Sequence, residues 1–284
     1  MYWLLFSGAV VFGRTESAFG KYNGRIGGKN LVFNCAKLLS ASLVGVAFAL
    51  FSGMTFHLET LYYASIYGLM LAVACYCGLK ALSLGSMAVC SMLASFSLVV
   101  PVLVGLIFLN ESVSVLGIIG LVLICISILL LSYRKQKSPV SLKCWIYSIL
   151  TMLANGICSA VQKLHQTQFP GEFRIEFMVF SMGCALLVFL LSIVFVRKKG
   201  QQKVKTDKRA MCFGSIAGAC NFGSNFCVLY LSASENALVL FPILSALNTV
   251  GACLVGRIFF KEKISLIQAI SIIIGICSVV LLKI

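Results

Sequence analysis

Three ionisable residues stand in otherwise apolar sequence: Arg14 and Glu16 in "VVFGRTESAFG", and Lys37 in "NLVFNCAKLLSASLVG". Charge at membrane depth is costly, and where it persists it pairs, meets a polar cavity or snorkels to an interface. Arg14 and Glu16 are two residues apart and point from different faces of a helix, so they make a poor pair with one another. Either can meet Lys37 or a helix from later in the chain. Contact with a solute or coupling ion is one reading of this trio, and a structural ion pair is the other. Amides and hydroxyls supply a second set. Asn155, Ser159 and Gln162 follow steps of four and three and share one helical face, as do Asn221, Ser224 and Asn225. Such stripes line a polar cavity or bond helix to helix. Tyr230, Asn248 and Gln268 are further candidates for contact with a solute.

Catalysis is not indicated by these residues. A membrane enzyme needs convergent carboxylates, a His/Ser set or metal ligands at depth, and Glu16 is the one acid clearly inside a span. His57 and His165 read as lone loop residues without partners. The 13 cysteines are scattered singly through apolar segments. Apart from the CxC of Cys75 and Cys77 they show no ligand-like spacing, so they read as small buried hydrophobes. No catalytic residue, metal or cofactor is expected. Glu111 and Glu262 fall where apolar runs begin and read as carboxylates at helix starts. Pro101 and Pro242 lie at matching places and are expected to kink their helices.

The elements that must position these groups follow from composition. With 60% hydrophobic and only 11% charged residues, the chain is far from the soluble norm. Many runs approach the roughly 20 residues needed to cross about 30 Å of hydrocarbon as a helix. The opening "MYWLLFSGAVVFG" lacks the basic start and cleavage site of a signal peptide and reads as a first span. Ten spans are expected, at 2–19, 31–51, 61–79, 87–109 and 113–132, then 145–164, 177–196, 210–231, 237–260 and 264–282.

The chain is also written twice. "FLNESVSVLGIIGLVLICISILLL" from Phe108 returns as "FFKEKISLIQAISIIIGICSVVLL" from Phe259, and "ALSLGSMAV" from Ala81 as "YLSASENAL" from Tyr230. Trp3, Ser17, Ala18 and Lys21 recur as Trp145, Ser159, Ala160 and Lys163 at one constant offset. The offset grows later, where the second copy carries the long loop "RKKGQQKVKTDKR". The expected organisation is a five-helix repeat over 1–132, a basic linker over 133–143 and a second five-helix repeat over 144–284. Five is odd, so the second copy enters the membrane from the opposite side. The fold class is an all-α integral membrane protein of ten helices in two inverted repeats, able to exchange conformations around a site near the midplane.

Of the 23 Lys and Arg, 18 fall in loops after odd-numbered spans. Lys163, Arg174 and Lys283 lie on the other side, and Arg14 and Lys37 within spans. Basic loops stay cytoplasmic, which puts both termini outside the cytoplasm. A net charge of +15 spread over short loops reflects topology and anionic lipid rather than nucleic-acid binding.

The paired segments "ALSLGSMAV…LNESVSVLGIIGLVLICISILL" and "YLSASENAL…FKEKISLIQAISIIIGICSVVLL", in a duplicated ten-span chain, resemble the drug/metabolite transporter superfamily, specifically its EamA-like members. Each half also resembles the four-span small multidrug resistance proteins, notably in "GIIGLVLICISILL". The resemblance implies an inner-membrane carrier or exporter with a central cavity built by the first four helices of each half. Small multidrug resistance proteins carry a Glu eight residues before a Lys at the end of their first helix. Gly13 and Asn155 hold those places here, so proton-coupled export through that Glu is not implied. The resemblance also implies cytoplasmic termini, the reverse of the charge bias. The expected function is secondary transport of a small polar or amphipathic metabolite or drug across the cell membrane by alternating access. The partners are the solute and membrane lipid, and the protein is a monomer or homodimer. A passive channel or a lipid translocase is the alternative, with a membrane enzyme behind both.

Overall fold

The computed structural model describes residues 2–84, 90, 93–112, 114–132, 141–198, 207–260 and 266–283. Among them there is helix and connecting loop but no strand. The first half contains α1 (Tyr2–Arg25), α2 (Asn30–Ser52), α3 (Leu58–Leu84), α4 (Leu93–Phe108) and α5 (Val115–Ser132). The second contains α6 (Leu142–Gln168), α7 (Arg174–Lys198), α8 (Lys208–Ser232), α9 (Ala237–Phe260) and α10 (Leu266–Lys283). Five of these, α2, α3, α6, α7 and α8, are long and apolar enough to cross a membrane, and shorter apolar helices accompany them. This is a multi-pass membrane protein by length and composition. The helix α1 carries Arg14, Glu16 and Lys21 and is not among the five.

Caps and breaks explain the boundaries. Ser141 accepts from the Cys144 N–H at 3.2 Å and starts α6. Asp207 starts α8, its Oδ1 accepting from the N–H groups of Arg209 and Ala210 at 3.1 and 3.2 Å. Its Oδ2 accepts from the Lys29 N–H at 3.2 Å, which ties the α1–α2 turn to α8. The chain leaves α2 through Gly53 at φ +74°, a conformation that favours glycine. In α4 a 3-10 turn at Phe96–Leu98 precedes Pro101, whose ring cannot coexist with a regular helical carbonyl at Ser97.

The halves are interleaved. Helix α1 lies on α8 while α6 lies on α3; α2 lies on α8 while α7 lies on α3; α4 touches α6 while α9 touches α1; and α5 packs along α10. End contacts fix the directions. The end of α1 meets the start of α8 through Lys29 and Asp207. The end of α8 meets the end of α6 through Lys163 and the Ser232 carbonyl. Ser141 at the start of α6 donates to the Leu84 carbonyl at the end of α3, at 3.5 Å. Helices α6 and α8 therefore run together, against α1 and α3.

Small residues permit the closest approaches, as expected where lipid removes the hydrophobic drive between helices. In "GSIAG" of α8, a Cβ on Gly214 would strike the Phe33 carbonyl and one on Gly218 the Lys37 carbonyl of α2. In α3, a Cβ on Gly68 would come 2.6 Å from the Ser181 carbonyl of α7. The two larger cores each draw on both halves. One gathers Leu38, Tyr67, Phe177, Met182 and Leu229. The other gathers Phe6, Leu98, Ile124, Leu238 and Ile243.

Candidate functional site

Glu16 and Lys37 meet where α1, α2 and α8 converge. Lys37 Nζ lies 3.0 Å from Glu16 Oε1, with side chains 12% and 21% exposed. The other oxygen, Oε2, accepts from Asn221 Nδ2 at 3.0 Å. The chain of bonds continues along α8, because Asn225 Nδ2 donates to the Asn221 carbonyl at 2.9 Å. It then crosses to α3, where the Tyr67 hydroxyl donates to Asn225 Oδ1 at 2.8 Å. Cys75, on the same helix, lies beside Lys37. Helices from both halves thus share one polar lattice inside the bundle. Among the described residues Asn221 Oδ1 is buried without a partner, and so is Gln162 Nε2 on α6. A buried amide atom left unpaired is costly, and each is suited to a hydroxyl of a small guest or to water.

Arg14 faces a different neighbour. Its Nε donates to Asn248 Oδ1 of α9 at 3.1 Å. Gly251 gives its stem room, since a Cβ there would lie 2.9 Å from Arg14 Cγ. The Ser224 hydroxyl donates to the Ala9 carbonyl at 2.8 Å and so serves the α1–α8 contact.

Of the residues singled out from sequence, the structure joins Glu16, Lys37, Asn221 and Asn225 in one network, and Arg14 with Asn248 beside it. The α6 stripe is not bonded to either. Ser159 donates back to the Asn155 carbonyl at 3.3 Å within its own helix, and Gln162 is 2% exposed. Tyr230 lies at the far end of α8 with the Arg174 guanidinium 3.7 Å over its ring. The side chain of Gln268 lies outside the described residues.

Two expectations are corrected. His165 is not a lone loop residue, because α6 runs past it to Gln168. It is fully buried, with Nε2 3.1 Å from Thr60 Oγ1 and Nδ1 3.0 Å from Gln166 Nε2. His57 stacks on Phe173 with ring centroids 4.5 Å apart. Both histidines are packing groups where α3, α6 and α7 meet. Glu111 does not serve the start of its own helix, which begins at Val115. It reaches across to the second half, where Oε1 lies 3.3 Å from Lys163 Nζ and Oε2 accepts from the Leu238 N–H at 3.3 Å. The orphan donors at the start of α9 attract it more than a loop of its own. Glu262, its sequence counterpart, lies outside the described residues.

Sequence reasoning missed Tyr67 and the Glu111–Lys163 latch. Thr60, Tyr63 and Tyr67 follow steps of three and four and share a face of α3, but a threonine and two tyrosines among apolar residues carry no charge or amide to mark them. Lys163 carried a signal, since it repeats Lys21. Its Nζ also donates to the carbonyls of Ser232 at 3.3 Å and Glu235 at 2.6 Å, fixing the α8–α9 turn to α6.

A family model described as sugar transport protein matches residues 17–284. No curated protein matches the chain in sequence. Solved structures do match in shape. One, described only as a crystal structure of a protein, superposes with a TM-score of 0.76 over 98% of this chain and 94% of its own, at 14% identity. At that identity the likeness is one of fold alone.

Proposed function

We propose that this chain, which belongs to the family of sugar transport proteins, is a secondary carrier that moves a sugar or another small polar solute across the cell membrane by alternating access. The observation that carries the reading is the lattice from Tyr67 through Asn225, Asn221 and Glu16 to Lys37, which binds helices of both halves at membrane depth. Polar groups are retained in that setting when they hold helices together or receive a polar guest. The unpaired Asn221 oxygen favours the second role.

The architecture we assign is ten spans in two inverted five-helix repeats over 1–132 and 144–284, of the EamA-like type within the drug/metabolite transporter superfamily. The opposed directions of α1 and α6 and the reciprocal contacts between halves support it. Rocking of one repeat against the other would open the lattice to each side in turn. The basic loops favour both termini outside the cytoplasm, which reporters active on only one side of the membrane, fused at each end, will test. Uptake of a radiolabelled sugar into proteoliposomes tests the carrier itself. A carrier gives saturable uptake that accelerates when the lumen is preloaded with unlabelled sugar, whereas a channel gives uptake linear in concentration and indifferent to preloading.

A further inference from the structure

We propose that the carried solute bears an anionic group, a carboxylate or a phosphate on a sugar-sized body, and that Arg14 is the residue that reads it. The inference rests on the carrier reading above. Helices α1 and α2 carry three partly buried charges, and they do not balance. Glu16 accepts from Lys37 through Oε1 and from Asn221 through Oε2, each at 3.0 Å, so a single carboxylate stands against two cations. Among the described residues Arg14 makes one hydrogen bond, from Nε to the neutral Asn248 oxygen. Among the described residues no carboxylate forms an ion pair with it.

The guanidinium carries five N–H donors, so the four on its terminal nitrogens remain without a protein partner among the described residues. The side chain is partly buried in the middle of the 24-residue α1, away from both of its ends. Its stem is seated against the α9 backbone at Gly251, which places the fork rather than letting it wander. Glu16 attracts Arg14 as well as Lys37, but one carboxylate leaves one positive charge uncompensated, which is unfavourable until an anion meets it. A planar fork of parallel donors fits a carboxylate or phosphate through two bonds, which a neutral hydroxyl cannot match in charge. A solute with one negative charge would neutralise the site.

Thermal unfolding of the purified protein at constant ionic strength provides the test, with wild type, Arg14→Gln and Arg14→Lys each measured alone and with D-glucose, D-glucuronate or D-glucose 6-phosphate. Without solute, Arg14→Gln is expected to melt no lower than wild type, since an unpaired charge has been removed. With solute, at least one of the two anions should raise the wild-type melting temperature more than glucose does, saturably. Its apparent affinity should be about tenfold or more weaker in Arg14→Gln and intermediate in Arg14→Lys. The anion that responds identifies the group as carboxylate or phosphate. The proposal is overturned if glucose stabilises as strongly as both anions, if neither anion stabilises, or if Arg14→Gln keeps the wild-type response. A melting temperature for unliganded Arg14→Gln well below wild type also overturns it, because that is the signature of a lost ion pair. Preload-accelerated glucose uptake in any of these cases would leave the carrier standing without its anion selectivity.

Discussion

Lys37 and Glu16 neutralise each other inside the bundle, so removing one strands the other. Replacing Lys37 with Met should destabilise the protein by about 3–5 kcal/mol, the usual cost of orphaning a buried charge. The double variant Lys37→Met with Glu16→Gln should recover most of that loss. Reversible unfolding in detergent and denaturant, measured for both single variants and the double, checks the expectation; equal losses in single and double variants would contradict it. At the membrane edge, the N–H groups of Ala210 and Lys29 hold the Asp207 carboxyl below the ordinary carboxylate range. A depressed folded-state pKa stabilises fully above the unfolded value of about 3.9 and is lost as pH falls through the folded value. Acidification below about pH 4 should therefore lower the melting temperature less in Asp207→Ala than in wild type. The charged candidates Arg14, Glu16 and Lys37 were legible in the sequence because charge is conspicuous in an apolar run. Tyr67 was not, since a tyrosine in a long hydrophobic helix looks like any aromatic until its hydroxyl is placed against Asn225.

Helix α8 meets α2 backbone to backbone, and this makes its glycines the most sensitive positions of the element. Gly218→Ala and Gly214→Ala should each cost about 1–3 kcal/mol, because the added methyl meets a carbonyl that cannot rotate away. Gly24→Ala in α1, where a Cβ would meet nothing within 4 Å, should not destabilise. Melting curves of the three variants compare them directly. The GxxxG spacing of Gly214 and Gly218 marks α8 as a helix that permits close approach, but nothing in the sequence indicates which helix it meets. Span centres followed from apolar runs, while ends did not. The sixth span was expected to stop at Leu164, yet α6 continues to Gln168 because His165 and Gln166 find buried partners in Thr60 and the Glu172 carbonyl.

Across the whole molecule, Lys163 and Glu111 tie elements of both halves together at one end of the bundle. Together they join α6, the loop before α5, the α8–α9 turn and the start of α9. Exchanging the two residues should not restore what either single substitution loses. A lysine at 111 cannot accept from the Leu238 N–H, and a glutamate at 163 cannot donate to the Ser232 and Glu235 carbonyls. Melting temperature and uptake, measured for Glu111→Lys, Lys163→Glu and the exchange, should all stay well below wild type; recovery in the exchange would reduce the latch to simple charge attraction. The correspondence of Trp3 with Trp145 and of Lys21 with Lys163 is readable along the chain, whereas the interleaving of the halves is not, since contacts between distant helices leave no periodic mark.

That interleaving bears on how the protein is made. When α3 emerges from the ribosome, the faces it will set against α6 and α7 have no partner, and Tyr67 has no Asn225 to bond. The first five helices must therefore wait in lipid, half-assembled, until the later ones are synthesised. Severed at the linker, the two pieces should each be unstable and subject to proteolysis when made singly, and should rescue one another when made in the same cell.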